Sequence, residues 1–273
     1  MRVALVDNGS LEPAAHASLR AAASSIGKRT GARVEAVSWR HSDRIAPGAL
    51  PGGQAWTLVP WIRARLSDGE RSLLFIPFFI SPQGAIGSAL RRDIEALSDE
   101  AGGFAFSFTE GLADGTALTA IVADRVREAV AEKGLGRPAV VVVDHGGPSP
   151  DSAAVRDRVA DAARALLGGS VGSLAAASME APDGPEFGFS RPLLRDALAA
   201  PGFDSGEVLI APLFLSPGRH AGPGGDLAMI VRAAMARSQG LRCHFTGLVG
   251  SHPMAIEFLS GALAEALGAG VHP

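Results

Sequence analysis

Short apolar runs alternate with helical patterns along the whole chain. Runs rich in Val, Ile, Leu and Phe predict strands near 2–7, 33–38, 72–80 and 104–109. A second series falls near 138–144, 172–179, 206–215 and 242–247. Between them, apolar residues recur every three or four positions. They predict helices near 13–29, 54–67, 86–98 and 115–133, then near 151–168, 186–199, 224–238 and 252–268. Strands separated by helices need crossover connections, which give parallel sheets covered on both faces. The fold class is therefore α/β.

The two series match in detail. Val6-Asp7-Asn8-Gly9-Ser10 corresponds to Val143-Asp144-His145-Gly146-Gly147, an offset of 137 residues from Asn8 to His145. Pro77-Phe78-Phe79-Ile80-Ser81-Pro82 corresponds to Pro212-Leu213-Phe214-Leu215-Ser216-Pro217, an offset of 135. Gly111-Leu112 corresponds to Gly247-Leu248, an offset of 136. Three segments in nearly one register identify an internal duplication. The joint falls at Gly134-Leu135-Gly136-Arg137-Pro138, where Gly stops a helix and Pro precedes a strand. The expected domains are 1–136 and 137–273, each a Rossmann-like repeat with a parallel four-stranded sheet flanked by helices.

Composition narrows the possibilities. Hydrophobic residues make up 47% and charged residues 19% of 273, so the chain can bury a substantial core. A net charge of −3, with no Lys/Arg run, supplies no basic field for nucleic acid. The single cysteine, Cys243, excludes an internal disulfide and any cysteine metal cluster. No apolar run reaches the roughly 20 residues a membrane helix needs. The apolar N-terminal stretch is too short for a signal peptide. These features lead to the expectation of a cytoplasmic protein without membrane or nucleic-acid partners.

Ligands of parallel α/β sheets bind at the carboxyl ends of the strands. His145 follows the first strand of the second repeat, Glu180 the second and His220 the third. If those strands are neighbours, the three side chains converge on one rim. Two imidazoles and a carboxylate suit a borderline divalent ion such as Co²⁺, Ni²⁺, Fe²⁺ or Zn²⁺, and three ligands leave coordination positions open. The first repeat serves as an internal control. It carries Asn8, approximately Arg40 and Ala85 at these positions, so the fold itself does not demand the three ligands. Each residue also has an ordinary account: His145 as a turn histidine, Glu180 as a solvated carboxylate, His220 as an idle loop residue. Their joint placement at successive strand ends favours a site. His252, before Pro253 at the start of the last helix, reads as structural. His16, His41, His244 and His272 match no constellation.

Gly146-Gly147 and Gly222-Pro223-Gly224-Gly225 precede helices, whose N-terminal amides attract anions. Ser149, Ser216, Arg191 and Arg219 can add hydrogen bonds or charge. Glycine's backbone freedom explains the same glycines equally well. Neither phosphate-binding glycine motif occurs where a nucleotide site would need it.

At these residues the sequence resembles the class II chelatases, the sirohydrochlorin cobaltochelatase and ferrochelatase family. The family opens with a strand followed by His-Gly-[Ser/Gly], here His145-Gly146-Gly147. It carries a Glu after the second strand, here Glu180. A Phe-Leu-x-x-Gly-x-His loop follows the third, here Phe214 to His220, and Leu-Gly-x-His-Pro is matched by Val249 to Pro253. The resemblance spans the chain as two chelatase-like repeats, the first degenerate. One departure stands out: the family Asp lies about four residues beyond the loop His and precedes Ile-Pro. Here Asp226 lies six beyond His220 and precedes Leu227-Ala228.

The resemblance implies insertion of a divalent metal, Co²⁺ foremost or else Fe²⁺ or Ni²⁺, into sirohydrochlorin or a related tetrapyrrole of cobalamin or siroheme biosynthesis. The metal is then a substrate, and neither ATP nor an organic cofactor is required. His145, Glu180 and His220 become metal ligands and catalytic groups. Gly146, Gly147, Ser216, Arg219 and Arg191 become substrate-binding candidates. Homo-oligomerisation is compatible with this reading. The alternative on the same fold is a non-catalytic metal or tetrapyrrole carrier or sensor.

Overall fold

A computed structural model describes residues 1–80, 85–112 and 116–268, with side chains at 85–87 left out. The elements follow in chain order: β1 (Arg2–Asp7), α1 (Pro13–Thr30), β2 (Val34–Ser38), β3 (Trp56–Thr57), α2 (Leu58–Ser67), β4 (Ser72–Pro77), α3 (Ala85–Glu100) and β5 (Ala105–Phe108). Then come α4 (Ala117–Lys133), β6 (Ala139–Asp144), α5 (Pro150–Leu167), β7 (Leu174–Ser178), α6 (Leu194–Ala197), β8 (Gly206–Pro212), α7 (Asp226–Arg237), β9 (Leu241–Phe245) and α8 (Pro253–Gly268).

The strands form two all-parallel sheets, ordered β3-β2-β1-β4-β5 and β7-β6-β8-β9. All eight expected strands are present. The first sheet has a fifth, because Trp56 and Thr57 pair with Val37 and Ser38 before the chain turns into α2. The expected helix at 54–67 therefore begins at Leu58. The expected helix at 186–199 does not form. A 3₁₀ segment at Pro185–Ser190 and the short α6 replace it. Pro192 explains the break: it lacks an N–H and disfavours helical backbone at Arg191.

Both sheets are buried on both faces, as parallel sheets require. In the first, Ala4, Val6 and Phe75 pack with Leu58, Trp61 and Ile62 of α2 and Leu90 and Ile94 of α3. In the second, Val141, Val143 and Ile210 pack with Leu194 of α6 and Leu227 and Val231 of α7. Two compact units result, residues 1–115 with 253–273, and residues 116–252. In the first unit α8 packs on α1; in the second α4 packs on α5. The final helix of each sequence repeat thus belongs to the other repeat's packing unit.

The repeats agree at the level of single hydrogen bonds. The Trp39 amide donates to the Asp7 carbonyl at 2.7 Å, and the Met179 amide to the Asp144 carbonyl at 2.8 Å. Arg40 to Asn8 at 3.2 Å is matched by Glu180 to His145 at 3.1 Å. Phe78 to Val6 and Leu213 to Val143 are both 2.8 Å. These pairs fix Arg40 as the counterpart of Glu180 and Asn8 as that of His145.

Beneath the strand ends of the first unit lies a buried polar network. His16 Nδ1 is 3.2 Å from Ser38 Oγ, and Ser42 Oγ is 2.8 Å from the same oxygen. Asp7 Oδ1 and His16 Nε2 are buried with no hydrogen-bond partner among the described residues. Burial pushes the Asp7 carboxyl up from 3.8 to about 6, against the hydrogen bond from Ser38. Burial, helped by the charge of Arg20, pulls His16 down to about 4.

These shifts set opposite pH dependences. The folded chain holds the Asp7 proton more tightly than the unfolded chain does. That stability is fully present below about pH 4 and lost as pH rises through 6, roughly 3 kcal/mol in all. His16 acts in the other direction, losing stability as pH falls below about 6.5. In a comparison of wild type with Asp7→Asn, the His16 contribution cancels. Urea unfolding should show the variant gaining on wild type between pH 4 and 7.5, by an amount approaching roughly 3 kcal/mol. A difference independent of pH would contradict this account of Asp7.

Candidate metal centre

The second unit builds its strand-end rim from three adjacent strands. β6 lies between β7 and β8, so the segments after Asp144, Ser178 and Pro212 leave the sheet side by side. The turn after β6 depends on Gly146, whose φ is +81°. A Cβ placed there would lie 1.8 Å from the Glu180 carbonyl oxygen. Only glycine permits that approach, and it fixes Glu180 next to His145.

Below this turn the polar network differs from that of the first unit. Asp144 accepts from Ser178 Oγ at 2.6 Å, and Ser178 in turn accepts from Arg156 Nη1. The Arg156 guanidinium is buried, lies 3.7 Å from Asp144 and donates from Nη2 to the Phe189 carbonyl at 2.9 Å. Burial pushes the Asp144 carboxyl up, while Ser178 and Arg156 oppose that shift. Arg156 therefore ties the floor of the rim to the 185–190 segment. Ser190 Oγ adds a tie to the Gly147 carbonyl at 3.0 Å.

His145 and His220 come together. Their ring centroids are 4.6 Å apart and the rings stand edge to face at 87°. His145 Nδ1 lies 2.9 Å from the Gly146 carbonyl oxygen. A carbonyl can only accept, so Nδ1 carries the proton and the neutral ring keeps its lone pair on Nε2. His220 Nδ1 lies 2.7 Å from Asp226 Oδ2, and the same reasoning gives His220 a free Nε2 lone pair. Two imidazoles held by their Nδ1 atoms, with Nε2 available, match the usual arrangement of metal-binding histidines.

By residue count Asp226 lies two positions beyond the family Asp. The longer loop folds on itself, which sets Asp226 against His220. The Gly222 amide donates to the Gly218 carbonyl at 2.7 Å, Asp226 to Arg219 at 3.2 Å and Leu227 to His220 at 3.2 Å. Gly225 sits where a Cβ would meet the Arg219 carbonyl at 2.5 Å. Asp226 is the first residue of α7, where a carboxylate also faces the helix's positive end.

Glu180 is more loosely placed. Its Oε1 lies 3.6 Å from His145 Nδ1, on the edge away from the free lone pair, and the side chain is exposed. The three expected ligands thus do not form a compact donor set. Among the described residues, a different set has all three donor atoms within 4.8 Å of one another: Asp124, Glu128 and His252.

The anion-binding candidates spread around the rim. Arg219 lies 3.7 Å from Asp226 and is largely exposed. Arg191 lies 4.0 Å from Asp196 and is also exposed. Ser216 Oγ is buried without a hydrogen-bond partner among the described residues. Gly146 and Gly147 occupy the turn itself. Cys243 is remote from this chemistry, and burial pushes its thiol up to about 11. In the first unit, Asn8 and Arg40 occupy the positions of His145 and Glu180. Ser81 and Pro82 of the repeat signature lie outside the described residues, as does the side chain of Ala85.

Neither a family model nor a curated protein matches the sequence. Solved structures do match the fold. SirB from Bacillus subtilis with Fe³⁺ has a TM-score of 0.71 at 14% identity, over 99% of this chain and 98% of that one. The sirohydrochlorin chelatase SirB from Bacillus subtilis subspecies spizizenii in complex with cobalt has 0.69 at 14%, over 99% and 97%. CbiX, described as the terminal enzyme for biosynthesis of siroheme in denitrifying bacteria, has 0.60 at 16%, over the full length of both chains. The chain has the class II chelatase fold in its two-repeat form. Among the described residues, no helix is long and apolar enough to cross a membrane.

Two substitutions probe this geometry. Gly146→Ala forces a Cβ against the Glu180 carbonyl at positive φ. It should cost about 1–3 kcal/mol or more in urea unfolding, whereas Gly188→Ala, with nothing within 4 Å, should cost much less. Equal costs would refute the close-approach account. Asp226→Ala removes the acceptor that orients His220. Calorimetric titration with Co²⁺ should show affinity at the His145–His220 pair falling roughly 10- to 100-fold. Unchanged affinity would mean that Asp226 has no part in orienting His220.

Proposed function

We propose that this chain is a chelatase that inserts a divalent metal ion into sirohydrochlorin or a related tetrapyrrole, with Co²⁺ the first candidate ahead of Fe²⁺ and Ni²⁺. The observation that carries the reading is the His145–His220 pair, with each Nδ1 committed to an acceptor of the chain and each Nε2 left as a donor. The fold neighbours solved with Fe³⁺ and with cobalt support it.

Metal insertion exchanges one M²⁺ for two pyrrole N–H protons. The ion must be held and partly dehydrated, the ring must bend, and both protons must leave. His145 and His220 hold the ion through Nε2. Imidazole suits borderline ions and exchanges them readily enough for a metal that is itself a substrate. Glu180, 3.6 Å from the His145 ring, accepts protons or joins the ion after rotation of exposed side chains. Arg191 and Arg219, with the Gly146–Gly147 turn, face the acidic substituents of the macrocycle, and the buried Ser216 Oγ offers a further hydrogen bond once the loop around it opens to the substrate. None of these steps requires ATP.

Turnover with sirohydrochlorin and Co²⁺, followed by the absorbance of the metallated product, tests the proposal. Wild type should form many equivalents of product per chain. His145→Ala and His220→Ala should each lower kcat/KM by at least about 100-fold, equivalent to roughly 2.7 kcal/mol. Product that stops at one equivalent would identify a carrier instead, and full activity in either variant would overturn the ligand assignment.

A further inference from the structure

Asp124 and Glu128 stand one turn apart on α4, so their carboxylates share a helix face. His252 ends the short turn at Val249–Ser251, and its imidazole is buried to 2% exposure. His252 Nε2 points at both acids, 3.2 Å from Asp124 Oδ2 and 3.8 Å from Glu128 Oε1. All three residues lie within the second unit.

The surroundings organise this face. Arg125 Nη1 holds the other Glu128 oxygen, Oε2, at 2.8 Å. Its Nε donates to the Leu248 carbonyl at 3.1 Å and its Nη2 to Ser251 Oγ at 3.0 Å. One Glu128 oxygen is thus committed, and the other is turned toward His252. The imidazole is buried, while the partly exposed carboxylates leave a path for an ion and room for water ligands.

Ligand atoms about 2.1 Å from a tetrahedrally bound ion stand about 3.4 Å from one another. The separations of 3.2 and 3.8 Å fall on either side of that value. A hydrogen-bonded His–Asp pair accounts for the shorter contact. The second carboxylate oxygen, from Glu128, stands at the same nitrogen, in a set more compact than that formed by His145, Glu180 and His220.

We propose that Asp124 Oδ2, Glu128 Oε1 and His252 Nε2 form a second divalent-cation site, with water completing the coordination. One nitrogen and two carboxylate oxygens select a borderline first-row ion such as Zn²⁺ or Co²⁺ over Ca²⁺ or Mg²⁺. Held there, the ion clamps α4 to the turn at 249–251 and stabilises the second unit. This site is separate from the His145–His220 pair and does not depend on the chelatase proposal.

Calorimetric titration of the full-length chain with Zn²⁺ tests it. The double variant His145→Ala/His220→Ala should still bind about one equivalent, and its melting temperature should rise with Zn²⁺. Adding Asp124→Asn and Glu128→Gln, which keep shape and remove both charges, should weaken that binding at least tenfold and abolish the thermal shift. Should the quadruple variant fail to fold, Asp124→Asn alone in the same background should still lower the affinity severalfold. Loss of all binding in His145→Ala/His220→Ala, or residual binding unaffected by the carboxylate substitutions, would overturn the proposal.

Discussion

In both repeats a backbone carbonyl occupies the space where the turn glycine would otherwise carry a Cβ. At Gly9 the intruding group is the Arg40 carbonyl, at a would-be 1.7 Å; at Gly146 it is that of Glu180, at 1.8 Å. The contact locks the turn after the first strand of each repeat against the end of its neighbour. Amide bonds from Trp39 to Asp7 and from Met179 to Asp144 reinforce it. The backbone geometry of the rim is therefore set without reference to the side chains it displays. The duplicated scaffold could hold Asn8 and Arg40 in one copy and His145 and Glu180 in the other without changing shape.

What lies under the rim does change. In the second unit the guanidinium of Arg156 compensates Asp144 and also grips the Phe189 carbonyl, so the charge beneath the turn is balanced and the flanking segment is fastened. Leu19 stands at the repeat position of Arg156, and among the described residues no cation counters the burial of Asp7. His16, one turn earlier on α1, supplies a neutral ring to Ser38 instead. Removing one partner of a buried ion pair is far costlier than replacing the pair outright. Arg156 is therefore tied to Asp144 as firmly as the glycine is tied to the turn. The electrostatic asymmetry of the two floors parallels the asymmetry of the residues above them.

The strands were legible in the sequence because burial on both faces writes them as continuous apolar runs such as Val140 to Val143 and Leu73 to Ile76. The equivalence of Asn8 with His145 was legible because the offset barely drifts over three segments, whereas that of Arg40 with Glu180, at an offset of 140, was only approximate until the backbone hydrogen bonds fixed it. Other features were not. Periodicity extended a helix through 186–199 because apolar spacing carries no record of the missing Pro192 amide. The exchange of α4 and α8 between packing units is a choice of partner, and helical amphipathicity does not name partners. His16 and His252 read as unremarkable because their neighbours, Ser38 and Asp124, lie 22 and 128 residues away in the chain. Asp226 looked misplaced by count, since residue counting cannot see a glycine loop folding back by two positions.

The two histidines of the rim also differ in what holds them. The Gly146 carbonyl, which restrains His145, is a neutral dipole that fixes the tautomer and contributes little charge. The Asp226 carboxylate, which restrains His220 at 2.7 Å, fixes the tautomer and places an anion behind the ring. On the chelatase proposal this difference divides the labour between them. His220, backed by an anion and only about one-third exposed, is the stronger and steadier ligand. His145 is more exposed, more weakly anchored and within reach of the Glu180 carboxylate, so it is the imidazole better suited to release the ion and take up a proton. A metal that must be captured and then surrendered needs one firm ligand and one yielding one, and the acceptors at the two Nδ1 atoms supply that difference.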